Sequence, residues 1–140
     1  MRALTLLEPW ATLVVLGKKE WETRSWPTKI RERVAIHASK GFPRKNQDIC
    51  FEEHFFKALR RHGVEHSRFA PGCVIGFADI LDCLRTEDVR DTLTADEIAF
   101  GDWSDGRWCY RLGNPETTVP IPARGALNFW RWKNPRYPLL

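Results

Sequence analysis

The feature that most constrains the fold is a series of short β-patterned runs separated by Gly- and Pro-rich turns. The clearest run, residues 33–39, alternates apolar side chains on one face with Ala35 and His37 on the other, as a half-buried strand does. Five or six such strands with two or three helices between them predict an α+β fold. The expected architecture is a small, closed or nearly closed β-barrel surrounded by helices, rather than a doubly wound parallel sheet.

The turn and periodicity signals place these elements along the chain. Strands are predicted over residues 3–7, 18–26, 33–39, 73–82, 107–112, 118–121 and 129–132. Helices are predicted from Pro9 to Gly17, from Asn46 to His62, and after Thr94, which has capping-box spacing to Glu97. Gly76, inside a predicted strand, indicates a bend or a close backbone approach. We expect residues 1–140 to form one domain, since a chain of this size can bury a stable core without disulfides.

Charge is distributed unevenly along the chain. Residues 1–70 hold 14 bases and 8 acids, residues 79–105 hold 2 bases and 9 acids, and residues 106–140 hold 6 bases and 1 acid. Two basic ends folded onto one side would attract anions such as nucleic acid, although a solvated surface explains the charge equally well. Without an apolar run long enough for a bilayer or a signal-peptide pattern, we expect no membrane contact and a cytoplasmic location, or a nuclear one in a eukaryote.

The sequence gives no indication of a metal or an organic cofactor. The four cysteines form no C-x-x-C pair and have no zinc-like spacing to the histidines; they are Cys50, Cys73, Cys83 and Cys109, with His37, His54, His62 and His66. We expect small core thiols instead. No P-loop, Rossmann glycine pattern, G-x-S-x-G or H-E-x-x-H is present.

The densest polar segment is residues 17–26, GKKEWETRSW. Strand alternation places Glu22 and Arg24 on one face, where each charged group can orient the other. Lys19 falls on the opposite face and joins them only if a turn or bulge redirects it. The segment is either a displayed binding site or a solvent-exposed strand with an ion pair.

Tryptophan is frequent, with seven in 140 residues, and several lie near basic side chains. Trp26 ends the polar segment, Trp10 precedes it by seven residues, and Arg124 precedes Trp130 by six residues. Aromatic faces interleaved with arginine can stack single-stranded bases, each worth roughly 1–3 kcal/mol. The same tryptophans are also typical of core residues whose rings keep one edge in contact with water. Lys40, directly after a predicted strand, is a candidate for a basic rim.

The chain resembles the ASCH domain, the activating-signal-cointegrator homology module of the PUA-like superfamily. The resemblance is carried by Leu4-Thr5-Leu6, Pro9-Trp10-Ala11, the spacing of Gly17, Lys19, Glu22, Arg24 and Trp26, then Ile36 to Lys40, Pro71 to Gly76, Asp79 to Cys83, Pro122, Gly125 and Trp130. It implies a barrel with a cleft beside the first helix that is similar to RNA-binding clefts, and binding of RNA or DNA. Other members resemble small amidohydrolases acting on N(4)-acetylcytidine or ribonucleases. The amidohydrolase-like members place a catalytic lysine at Lys19 and a threonine at position 22, which is Glu22 here, so that mechanism does not transfer.

The leading hypothesis is binding of RNA, other single-stranded nucleic acid or a modified nucleobase in a basic, Trp-lined cleft between barrel and first helix. Lys19, Arg24, Lys40 and Arg124 would hold phosphates, and Trp26 and Trp10 would stack on bases or wall the cleft. The alternative is a hydrolase acting on N(4)-acylated cytidine, or a ribonuclease, in which Lys19 and Glu22 form an acid/base pair. A third hypothesis is a module that binds a protein partner.

Overall fold

A computed structural model of the chain describes residues 1–61, 63 and 69–136. Six strands form one mixed sheet in the order β2-β5-β4-β3-β1-β6. They are β1 (Arg2–Leu6), β2 (Trp21–Arg24), β3 (Arg33–Ala38), β4 (Cys73–Arg85), β5 (Trp108–Pro122) and β6 (Phe129–Arg131). Only β1 and β3 run parallel among the described pairs. The sheet curls into a half-barrel, which confirms the predicted α+β, barrel-like fold.

The described residues form five α-helices around this sheet. They are α1 (Trp10–Val15), α2 (Arg44–Ile49), α3 (Glu53–Arg60), α4 (Thr86–Val89) and α5 (Ala95–Ala99). One side of α1 packs into the main core through Ala11, Val14 and Val15, and Leu13 on its other side packs against residues of α3 and Phe100. Helix α1 therefore lies between the sheet and the outer helices. Among the described residues, no helix combines the length and apolar composition needed to span a bilayer.

Helix α1 lies directly against the sheet at Gly76. A Cβ at this position would lie 2.6 Å from Val15 Cγ1 and 2.2 Å from the carbonyl oxygen of Glu116. The register of β4 against β5 also shifts between Val74 and Gly76. Of the two alternatives predicted at Gly76, the close backbone approach is confirmed.

Two predictions about where elements begin and end were wrong. The helix predicted from Asn46 to His62 is the separate helices α2 and α3, because Glu52 adopts an extended conformation between them; His62 and His66 lie outside the described residues. At the end of α2, Cys50 is buried and Phe51 is exposed. The two strands predicted over residues 107–112 and 118–121 are one strand, β5, since Asn114 at φ 49° lets the chain bend without leaving the sheet.

An ion pair between α3 and α5 makes their packing depend on pH. His54 Nδ1 lies 2.7 Å from Asp96 Oδ1, and this hydrogen bond raises the pKa of His54 above its ordinary 6.5. Because the folded pKa is raised, the stabilisation is fully present below pH 6.5 and is lost as the pH rises through the folded value. We expect Asp96→Asn to lower the melting temperature at pH 5.5 and to have no effect at pH 8.5. An equal effect at both pH values would contradict this assignment.

Candidate nucleic-acid interface

The polar segment after α1 forms a buried chain of charges. The backbone N–H groups of Lys18 and Lys19 donate to the carbonyl oxygen of Leu13, at 2.9 and 3.1 Å, and this turn directs Lys19 inward. Its Nζ then donates to the carbonyl oxygen of Trp21 and lies 3.2 Å from Glu22 Oε1. The sequence predicted a contact between Lys19 and Glu22 only if a turn or bulge redirects Lys19. This turn is present.

Arg24 continues this chain toward β1. Its Nε lies 3.1 Å from Glu22 Oε2, and its Nη2 lies 3.0 Å from the same oxygen and 3.0 Å from the carbonyl oxygen of Thr5. Strand β6 pairs with β1 only from Arg2 to Leu4. The carbonyl oxygen of Thr5, the next residue of β1, accepts its hydrogen bond from Arg24 instead. The guanidinium thus joins β2, the strand at one edge of the sheet, to β1, which lies next to β6 at the other edge.

Burial gives this chain of charges a mainly structural character. The side chains of Lys19, Glu22 and Arg24 are 1%, 11% and 17% exposed. One carboxylate between two cations offsets part of their desolvation cost and fixes both positions. A solvent-exposed ion pair therefore does not describe Lys19, Glu22 and Arg24, because all three side chains are largely buried.

An open cavity of about 610 Å³ lies beside α1, and we call it the helix cavity. Its walls are Thr5, Leu6, Leu7, Trp10, Glu22, Thr23, Arg24, Ala99, Phe100, Gly101, Asp102 and Arg107. It combines an aromatic wall, Trp10, with two guanidinium groups and two carboxylates. Hydrogen bonds from the hydroxyl and backbone N–H of Ser104 hold the pKa of Asp102 below its usual 3.8, so this carboxylate is ionised at neutral pH.

Helix α5 is fixed beside this cavity by Glu97. The Glu97 carboxylate accepts the backbone N–H of Glu20 at 2.5 Å, and its carbonyl oxygen accepts the indole N–H of Trp103 at 2.9 Å. Burial raises the pKa of Glu97 above 4.5. The predicted cap is also present, since the Thr94 hydroxyl accepts the N–H of Glu97. These contacts position the cavity wall formed by residues 99–102.

A second open cavity, of about 1090 Å³, lies where three loops meet; we call it the loop cavity. Its walls are Thr5, His37, Ser39, Lys40, Pro71, Gly72, Cys73, Pro122, Ala123, Arg124, Gly125, Ala126 and Leu127. These walls contain no carboxylate. Lys40 and Arg124 are exposed, and within the described part of the chain neither makes an ion pair. The loop cavity therefore holds uncompensated positive charge, in contrast to the helix cavity.

Thr5 lines both cavities, and with His37 of the loop cavity it forms the floor where they meet. The Trp130 indole N–H donates to Thr5 Oγ1 at 2.9 Å, and His37 Nε2 lies 2.8 Å from the carbonyl oxygen of Ala123. Because a carbonyl only accepts, His37 carries its proton on Nε2, and the Thr5 hydroxyl donates to Nδ1 at 3.1 Å. A Cβ at Gly125 would lie 2.7 Å from His37 Cε1, so the loop rests directly on this ring.

Trp26 lines neither cavity, but its ring contacts Arg24. The Arg24 Cζ atom lies 5.6 Å from the centroid of its ring, within cation–π range. The hydroxyl of Tyr110 donates to its carbonyl oxygen at 2.6 Å, which fixes the backbone, while the ring remains exposed.

The structure separates the predicted site residues into two groups. It brings together Lys19, Glu22, Arg24 and Trp26, with Trp10 across the helix cavity. Lys40 and Arg124 lie in the loop cavity, on the other side of Thr5. Arg107 and Asp102 were missed by sequence reasoning. Asp102 lies in the acidic stretch of residues 79–105, Arg107 follows that stretch, and no motif marks either residue.

Comparisons with known proteins agree with this architecture. The family model "ASCH domain" matches residues 4–122. The proteins named Activating signal cointegrator 1 of Homo sapiens and of Mus musculus are each 31% identical over 130 residues, covering 91% of this chain and 22% of the relative. The chain thus spans about a fifth of the length of these curated relatives.

Two solved structures share the fold. The crystal structure of ASCH from Zymomonas mobilis superposes with a TM-score of 0.56 at 15% identity, covering 96% of this chain and 88% of that one. A tyrosine-to-phenylalanine mutant of the Zymomonas mobilis protein gives a TM-score of 0.51 at 16% identity, covering 86% of this chain and 74% of that one. At these identities the likeness concerns the fold alone. By the match over residues 4–122, the chain belongs to the ASCH domain family.

Proposed function

We propose that this protein binds single-stranded nucleic acid, RNA in particular, across the two cavities that meet at Thr5. The observation that carries the proposal is the pair Lys40 and Arg124, two exposed cations without an ion pair among the described residues, in a groove whose walls hold no carboxylate. Backbone phosphates supply most of the affinity in such binding. The family to which the chain belongs is thought to bind RNA, and this supports the choice of ligand.

The helix cavity suits a nucleobase better than a phosphate in its deeper part. Glu22 and Arg24 neutralise each other there, and together they present an acceptor and donors to the edge of a base. Trp10 offers an aromatic face for stacking, and Trp26 lies exposed above Arg24 for a second base. A modified nucleobase could enter the same cavity.

Lys19 takes a different role in this proposal from the phosphate contact expected of it. Its side chain is 1% exposed and does not line the helix cavity. We assign it the positioning of Glu22, which in turn holds Arg24. The phosphate contacts then fall to Lys40 and Arg124.

A salt titration with a short single-stranded RNA tests the proposal. We expect measurable binding at 50 mM KCl and a linear fall of log Kobs with log[KCl], with a slope of about −0.7 for each phosphate contacted. Double-stranded RNA of the same sequence should bind more weakly, because its bases cannot enter the helix cavity. Undetectable binding of the single strand at low salt would overturn the proposal.

Hydrolysis is the second candidate, and the 3.2 Å contact between Lys19 Nζ and Glu22 Oε1 is the observation in its favour. A carboxylate held beside an amine can activate water when both reach the substrate. Incubation with N(4)-acetylcytidine and with labelled RNA separates the candidates. The binding proposal expects no turnover, whereas product that forms with the natural protein and disappears in a Glu22→Gln variant that keeps the natural melting temperature would establish the hydrolase.

A further inference from the structure

The helix cavity contains a second arginine, Arg107, whose hydrogen-bonding capacity is largely unused. Its Nη2 lies 3.4 Å from the carbonyl oxygen of Thr23, and its Nε lies 3.5 Å from Asp102 Oδ2. Both distances exceed those of a good charged hydrogen bond. The Nε atom is buried and has no hydrogen-bond partner among the described residues. A buried N–H without a partner is costly, so an acceptor from outside would satisfy it.

Arg24 provides the contrast within the same cavity. It makes three contacts of 3.0–3.1 Å and is held in place by Glu22 and Thr5. Asp102 does not hold Arg107 comparably, since its other oxygen already accepts two hydrogen bonds from Ser104, at 2.6 and 3.1 Å. Of the two guanidinium groups, Arg107 is therefore the one free to change partner.

The depth of each pair indicates which part of a ligand it meets. The side chains of Arg107 and Asp102 are 28% and 59% exposed, whereas those of Arg24 and Glu22 are 17% and 11% exposed. In the proposed mode of binding a base enters the helix cavity, and the phosphate next to it remains at the rim of that cavity. Once the guanidinium of Arg107 turns away from Asp102, its Nε and Nη atoms form the fork that fits two phosphate oxygens.

We propose that Arg107 binds a backbone phosphate of the strand, on the opposite side of Thr5 from Lys40 and Arg124. This inference rests on the proposed function. It adds the path of the bound strand, whose backbone crosses the floor at Thr5 from the loop cavity to the rim of the helix cavity. Asp102 competes with the phosphate for the same guanidinium. Removing its charge therefore favours the bound state.

Three variants test the proposal with a single-stranded RNA hexamer between 50 and 300 mM KCl. We expect Arg107→Gln to weaken binding and to make the salt slope shallower by about 0.7. Asp102→Asn should tighten binding several-fold, since its Oδ1 still accepts from Ser104 while the competing charge is gone. Arg111→Gln is the matched control: it removes an exposed arginine of β5 that lines neither cavity, and should change little.

The outcomes distinguish a failure of this inference from a failure of the proposed function. Suppose that Arg107→Gln keeps the salt slope of the natural protein, while removal of Lys40 and Arg124 still makes that slope shallower. This result would overturn the role of Arg107 and leave the proposed function standing. A changed base preference at an unchanged slope would also overturn it, because that result marks a contact to a base edge. No binding by the natural protein would overturn both. If Arg107→Gln does not fold, unchanged affinity in Asp102→Asn gives the decisive negative result.

Discussion

Replacing Glu22 by alanine is expected to lower the free energy of unfolding by about 3–5 kcal/mol, the cost of removing one partner from a buried ion pair. The substitution leaves the ammonium of Lys19 buried and unpaired, and it releases Arg24, which joins β2 to Thr5 of β1. The link between β2 and β1 would be lost. Urea denaturation followed by tryptophan fluorescence measures the effect.

Glu20→Ala is the matched control for this experiment. Glu20 is exposed, precedes β2 by one residue, and contributes its backbone N–H rather than its carboxylate to the contact with Glu97. We expect its removal to change stability by less than about 0.5 kcal/mol. If Glu22→Ala cost no more than this control, the buried chain of charges would not be what holds the segment in place.

Replacing both Lys40 and Arg124 by alanine is expected to reduce the affinity for single-stranded RNA by about ten- to a hundredfold at 50 mM KCl, with the slope of log Kobs against log[KCl] shallower by about 1.4. These two cations are the uncompensated positive charge of the loop cavity. Because both side chains are exposed, the melting temperature should not change. Fluorescence anisotropy with a labelled oligonucleotide gives both the affinity and the slope.

Arg131→Ala with Lys133→Ala removes the same charge elsewhere. Both residues are exposed, and Arg131 pairs with Arg2 at the opposite end of β1 from Thr5. Equal losses in the two double variants would show that net charge, rather than the loop cavity, governs binding.

The sequence was informative where local pattern decides structure. The alternation over residues 33–39 predicted β3, and the spacing of Thr94 and Glu97 predicted the start of α5, because each depends on neighbours a few residues away. The prediction failed at Gly113-Asn114-Pro115, a combination typical of a turn, since pairing with β4 keeps these residues within β5. Tertiary contacts overrode the local turn preference there.

The candidate site could be predicted in its chemistry but not in its arrangement. Lys40 and Arg124 share a cavity because the loop after β3 and the loop after β5 lie on either side of the start of β4, a juxtaposition that no spacing in the sequence reveals. The burial of Lys19 depends on the turn that follows α1. Arg107 became recognisable only through its unsatisfied Nε atom.

The most direct test of the account is a titration of ¹⁵N-labelled protein with single-stranded RNA, followed by two-dimensional NMR. We expect the largest shifts in the backbone amides of residues 37–41 and 123–127, together with the indole N–H of Trp10 and the side-chain Nε–H of Arg107, since these line the two cavities that meet at Thr5. The amides of α4, on the acidic stretch, should not move. Shifts confined to α4, or spread over the surface without a maximum at Thr5, would contradict the proposed interface.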